Sequence, residues 1–188
     1  MRQIAVKSVV VFVLVSGCCQ SPQPAVKVGA ELPDFARMNI LETDEVLQQM
    51  KDRGDLDGLI ALARSDIQCA GWAAADAVSL MPFPRAVAFC NSFGVGTPRW
   101  ASAFYGLSNH RREDVSGYLQ ELITRPDPSV RFHCYRLCES MGWDDLLAYA
   151  VNDLQSRAAV GVANQLEDEQ TVGDVARKYL NSLKAAQP

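Results

Sequence analysis

Large apolar residues recur at thirty-residue steps through the body of the chain: Leu59, Phe89, Leu119, Tyr149 and Tyr179. Ala70, Trp100, Val130 and Val160 keep the same step, as do Ala77, Leu107 and Leu137, with Leu166 one residue short. A fixed period of this length marks repeated supersecondary units. Polar punctuation follows it too. Pro98 and Pro128 stand thirty apart, and so do Asp114, Asp144 and Asp174. Inside a unit the spacing is helical. Trp100, Ala103, Phe104 and Leu107 fall at i, i+3, i+4 and i+7, one stripe of a helix, and Val130, His133, Cys134 and Leu137 repeat it. Strand signals are weak throughout.

Helix starts and stops divide the chain further. Thr43 caps TDEVLQQMKDR, which Gly54 stops, and Asp55 opens a short helix through Arg64. Ser65 with Gln68 has the spacing of a capping box. Thr97-Pro98 and Asp127-Pro128 each set a cap before a proline in the first turn, and Gly142 suits the end of the helix from Pro128. These signals predict first helices at 66–80, 98–108, 128–140 and 156–166 and second helices at 84–93, 113–125, 143–152 and 171–184. A half-regular pair, 43–53 and 55–64, closes the N-terminal end. One such pair cannot bury both of its faces, so neighbouring pairs must stack. The segment DPSVRFHCYRL, Asp127 to Leu137, carries an Asp-x-x-Val-Arg helix start that resembles the short HEAT-like repeats. The resemblance covers about residues 55–184; Arg64–Gln68 and Gln155–Ala159 depart from the motif. It implies an all-α fold, an α-solenoid of about four to five antiparallel helix pairs, right-handed and gently curved, that binds protein on its concave face.

The N-terminus reads differently. Arg2 and Lys7 precede VVVFVLV, Val9 to Val15. That apolar run falls short of the ~20 residues a spanning helix needs, and with its basic flank it describes a secretory signal peptide. Val15-Ser16-Gly17-Cys18 resembles the bacterial lipoprotein box. By that resemblance Cys18 is the lipidated residue, and each buried methylene of its acyl chains contributes ~0.8 kcal/mol to membrane attachment. The plainer alternative is a cleaved signal without lipid. Cys19, where an Asp would retain such a protein at the inner membrane, implies delivery to the outer membrane, facing the periplasm. The polar, Pro- and Gly-bearing stretch Ser21–Pro33 reads as an extended tether. The expected organisation is a signal peptide at 1–17, a lipidated tether at 18–40 and a helical-repeat domain at 41–186.

Charge narrows the partners. The chain carries −4 formally, and −6 once residues 1–17 with Arg2 and Lys7 are removed. A net acidic surface argues against nucleic acid, which needs clustered Lys and Arg, and suits a basic protein.

Four cysteines lie beyond the anchor pair: Cys69, Cys90, Cys134 and Cys138. Three pairings are open to them, and an oxidising compartment permits disulfides. Cys69 near the start of one predicted helix and Cys90 near the end of its partner share one end of a hairpin, which predicts a Cys69–Cys90 disulfide. Closing that loop would contribute ~3 kcal/mol. Cys134 and Cys138, one helical turn apart, are then expected to stay reduced. His133, Cys134 and Cys138 have zinc-ligand chemistry, but no second close pair completes a set, and Cys134 occupies the core slot held by Phe104 one unit earlier. His133 is expected as a buried, hydrogen-bonded histidine. A Cys134–His133 nucleophile fails on geometry, since adjacent helix residues point about 100° apart. His110, in NHRRED, reads as part of a solvated loop, and Gly94 and Gly96 in FGVGTP as a turn lacking the Lys-Ser/Thr of a phosphate loop.

No cofactor, metal site or catalytic set is expected. The candidate partner-binding residues are Trp143, expected partly exposed at a helix start, with Asp144 and Asp145 beside it, and the acidic run Glu167, Asp168 and Glu169. The functional expectation is a non-enzymatic, lipid-anchored protein-binding module of the bacterial envelope. An immunity or inhibitor role against a secreted, envelope-attacking toxin leads, and an adaptor for an envelope machine follows. An enzyme on a helical-repeat scaffold would need convergent titratable groups that the sequence does not present.

Overall fold

The computed structural model describes residue 38 and residues 40–160 and 171–185. Cys18, the tether and Glu167–Glu169 lie outside the described residues. Those described fold into nine α-helices: α1 (Ile40–Asp52), α2 (Leu56–Ala63), α3 (Ala70–Leu80), α4 (Phe83–Asn91), α5 (Pro98–Tyr105), α6 (Arg112–Ile123), α7 (Pro128–Met141), α8 (Leu147–Asp153) and α9 (Val172–Ala185). A 3₁₀ turn, Gly106–Asn109, extends α5.

Caps legible in the sequence act as written. The Asp55 carboxylate accepts from the Gly58 amide, Thr97 Oγ1 from Trp100, and Asp127 from Ser129. Gly142 ends α7 in the left-handed region at φ 63°, where a side chain would be strained. Thr171 and Asp174 cap α9 reciprocally, each amide donating to the other's side chain.

Four starts differ from expectation; one is α8, which opens at Leu147 and not at 143, because 143–146 are spent on the turn that follows the Gly142 cap of α7. Helix α1 begins at Ile40, with Thr43 buried inside it rather than capping it, because no Gly or Pro between Pro33 and Gly54 interrupts the run. Helix α3 begins at Ala70, not 66. Ser65 spends its hydroxyl on the Leu62 carbonyl, and the Ala63 and Ser65 carbonyls receive the Arg99 guanidinium, so this stretch closes α2 instead of opening α3. No helix opens at 156. The Ser156 and Ala158 carbonyls accept from Gly173 and Val172, and Ala159 bridges to Thr171, so the backbone groups a helix would need are spent on the entry to α9.

Packing runs mainly between neighbours: α2 on α3, α3 on α4 and α5, α6 on α7, α7 and α8 on α9. Alanines at 70, 73, 74 and 77 present no side chain beyond Cβ, all fully buried, and let α3 approach α2 and α5 closely. The thirty-step residues form this core. Leu59, Leu119 and Tyr179 are fully enclosed and Phe89 is buried, while Tyr149 is half-buried. Both predicted stripes, Trp100 to Leu107 and Val130 to Leu137, are buried throughout.

Several side-chain hydrogen bonds between helices keep the same length scale, although Arg131 and Tyr135 reach Asp153 across only 22 and 18 residues. Arg99 reaches back to Ala63 and Ser65, Tyr118 to Asn91 at 2.6 Å, and His110 to the Val78 carbonyl at 3.0 Å. Arg112 reaches forward to Asp144 and Asp145, Ser116 to Asp145 at 2.6 Å, and Tyr179 donates to the Trp143 carbonyl at 2.7 Å. Apart from the two bonds to Asp153, each spans 27 to 36 residues, about one period.

Candidate functional site

The four cysteines of the domain are free thiols, and all are buried. The expected Cys69–Cys90 bridge is not formed. Sharing one end of a hairpin does not aim two side chains at each other, and Cys69 sits at the N-cap of α3 while Cys90 is wholly enclosed in the core. Burial raises the Cys90 and Cys138 thiols to about 12 and the Cys134 thiol well above its ordinary value. A thiol held protonated by burial is a poor nucleophile near neutral pH. Among the described residues no group of three or more His, Cys, Asp or Glu is placed to hold a metal ion.

His133 is buried and hydrogen-bonded, its Nδ1 2.9 Å from the Tyr105 hydroxyl. Phe132, Tyr105 and Trp100 surround the ring edge-on, with centroids at 5.0, 5.6 and 5.9 Å. Burial pushes this imidazole down to about 4, against the weaker opposing pull of Asp127. His110, expected in a solvated loop, is instead half-buried, with its ring against Phe83 at 5.7 Å. Among the described residues Cys134 does not meet either histidine in a hydrogen bond, and neither histidine has a carboxylate hydrogen-bonded to it to serve as an orienting group.

Trp143 does not take the partly exposed position expected of it. Trp143 is buried, because it belongs to the C-cap of α7: its amide donates to Cys138 across the Gly142 turn, as in a Schellman motif. Trp72, which the thirty-residue pattern does not include, stands 47% exposed on α3. Asp145 is spent on Arg112 and Ser116. Asp144 is exposed but paired with the same guanidinium, which holds its carboxyl below the usual range. The structure therefore brings Asp144 and Asp145 together on Arg112 and withdraws Trp143 from the surface. The cleft beside them is lined by Arg112, Asp144, Leu147, Leu180, Leu183 and Lys184.

Charge shows a second feature. Residues 40–76 carry eight carboxylates against Lys51, Arg53 and Arg64. Glu42, Asp44, Glu45, Asp52, Asp55 and Asp57 are all exposed on or beside α1 and α2, and Ile40 and Leu41 at the start of α1 are 65% and 75% exposed. Helix α9 has the opposite balance, with Arg177, Lys178 and Lys184 against Asp174. Whole-chain net charge concealed this asymmetry, which a count by segment reveals.

Comparison with protein-family models, with curated proteins and with solved structures finds no match to this chain. The class that fold and surface define is an all-helical protein whose helices pack on their sequence neighbours.

Proposed function

We propose that the chain is a protein-binding module of the bacterial cell envelope, lipid-anchored through Cys18 at the outer membrane, whose helix pairs form a short HEAT-like α-solenoid. It performs no chemistry; its partner is a basic protein. Within that class the reading favours an inhibitor or immunity protein that occupies a secreted, envelope-attacking toxin. The observation that carries the partner's chemistry is the acidic outer surface of α1 and α2, where exposed carboxylates follow the exposed Ile40 and Leu41. Carboxylates following exposed apolar residues on one helix suit a cationic surface, steering encounter by charge and holding it by apolar contact. Neighbour-to-neighbour packing and hydrogen bonds one period long support the solenoid part of the reading.

The test is a pull-down from detergent-solubilised membranes with the native chain and with a Glu42→Lys/Glu45→Lys variant. Retention of a basic secreted hydrolase by the native chain, its loss in the variant and its loss at 0.5 M salt are the expected results, the last because added salt shortens the reach of exposed charges. Retention of envelope-machine subunits instead would turn the reading to an adaptor. Equal capture by both forms would remove the acidic surface from the argument.

A further inference from the structure

The joint between α5 and α7 is made by an unusual set of groups. His133 projects from α7 with 2% of its surface exposed and meets α5 at Tyr105 and Trp100. A neutral imidazole satisfies the Tyr105 hydroxyl in either tautomer, since a phenol both donates and accepts. A protonated imidazole keeps that bond by donating from Nδ1, but it brings a full charge and a second N–H into a space walled by Phe132, Tyr105 and Trp100. Burying a charge without a paired counter-charge is costly.

Among the described residues, no carboxylate hydrogen-bonds to the ring to supply that counter-charge. From α5 the ring faces Trp100 and Tyr105, which carry no charge in acid. On its own helix it faces Phe132 and feels Asp127, the N-cap, whose carboxylate also serves the Ser129 amide. Beyond Tyr105 lies a cleft with Arg136, Glu139 and Lys178, where Glu139 is bound to Arg136 at 2.6 Å.

We propose that His133 is a proton-operated latch between α5 and α7, closed while its imidazole is neutral and released when it takes a proton. The latch opens locally. Trp100 and Phe104 of α5, stacked at 4.7 Å, separate from the α7 stripe, while α1 and α2 at the far end of the stack keep their contacts. Released, the joint frees an apolar surface that the closed stack conceals. Acidity would thereby alter the shape that the stack presents to whatever binds it.

Two measurements on the native chain decide this. Imidazole resonances titrated by NMR report the proton, and hydrogen exchange, corrected for the intrinsic rate, reports opening at 98–109 and 128–141. An open state with an ordinary imidazole at about 6.5 and a closed state at about 4 gives an opening population that rises about fiftyfold between pH 7 and pH 4.5. Expected is that rise at 98–109 and 128–141 with 40–63 little changed, and its loss in a His133→Gln variant. A native His133 midpoint near 6.5, an equal rise in His133→Gln, or simultaneous loss of protection along the whole chain would each overturn the latch. Should His133→Gln fail to fold, the native chain alone decides. Local opening must follow the titration of the His133 ring, and opening displaced from that titration by more than one pH unit overturns it.

Discussion

Removing the Asp153 carboxylate tests whether α8 is held by a buried charge. Asp153 is the last residue of α8, 6% exposed, and takes two partners from α7: the Arg131 guanidinium on Oδ1 and the Tyr135 hydroxyl on Oδ2, at 2.6 Å. Arg131 is itself largely enclosed, with 22% of its side chain exposed, and its Nε is buried with no hydrogen-bond partner. Asp153→Ala thus leaves a guanidinium facing a gap and a buried phenol without an acceptor. Breaking a buried pair from one side costs ~3–5 kcal/mol, and an unsatisfied buried hydroxyl ~1–3 kcal/mol. The two overlap, and the exposed fifth of Arg131 can reach water, so the expected loss is about 4 kcal/mol. That is a large part of the ~5–15 kcal/mol that holds a typical domain. It corresponds to a fall in melting temperature of ~8–16 °C at this size. Urea unfolding followed by circular dichroism at 222 nm measures it, with an unchanged slope showing that the unfolded state is unaffected. Asp153→Asn, which keeps an acceptor of the same shape, should lose less. Arg131→Met in the Asp153→Ala background should recover at least about 1 kcal/mol by removing the orphaned charge. A cost under about 1 kcal/mol for Asp153→Ala, or a double variant no better than the sum of its singles, would refute the reasoning.

Other consequences follow from the same packing. Gly106 lies where a Cβ would run into the Ala75 carbonyl oxygen, with Val78 Cβ only 2.9 Å away; Gly106→Ala should cost ~1–3 kcal/mol by prising α5 from α3. Gly117 on α6 has nothing within 4 Å of its Cβ position, so Gly117→Ala should stabilise by ~0.5–1 kcal/mol in the same thermal melts. Opposite signs are required, and a like response at both sites would remove the steric argument. The thiols of Cys69, Cys90, Cys134 and Cys138 should stay silent to Ellman's reagent at pH 8 and all react in 6 M guanidinium; fast labelling of any one in the native chain would contradict its burial. Stability should also fall as pH rises from about 9 towards about 12. The raised thiols of Cys90 and Cys138 keep their protons in the fold and lose them when it unfolds, so the unfolded state binds fewer protons across that window.

What could be read ahead of the structure was whatever depends on local chemistry and on period. Asp55, Thr97, Asp127 and Gly142 act through residues two to five positions away, and each marks its helix end as expected. Most of the thirty-step apolar positions reach the core because a helix face is set by spacing, while Tyr149 and Val160 stop half-buried and Leu166 lies outside the described residues. Misreadings arose where a distant group takes a backbone atom first. Ser65 and Gln68 have the pattern of a helix start, but Arg99, 34 residues on, claims the Ser65 carbonyl. Ser156 opens no helix because α9 claims its carbonyl. The tryptophans illustrate the same limit. Trp143 is drawn inward by the left-handed turn at Gly142, a local device whose direction spacing does not reveal, while Trp72 faces outward on a helix whose buried side is filled by alanines. Asp153 is the extreme case: it carries no signal in the sequence, and only the arrival of Arg131 and Tyr135 from the preceding helix makes it an interior group. Helices that pack on near neighbours therefore show their buried faces in the sequence but hide their joints, because a joint is decided by residues 18 to 36 positions away.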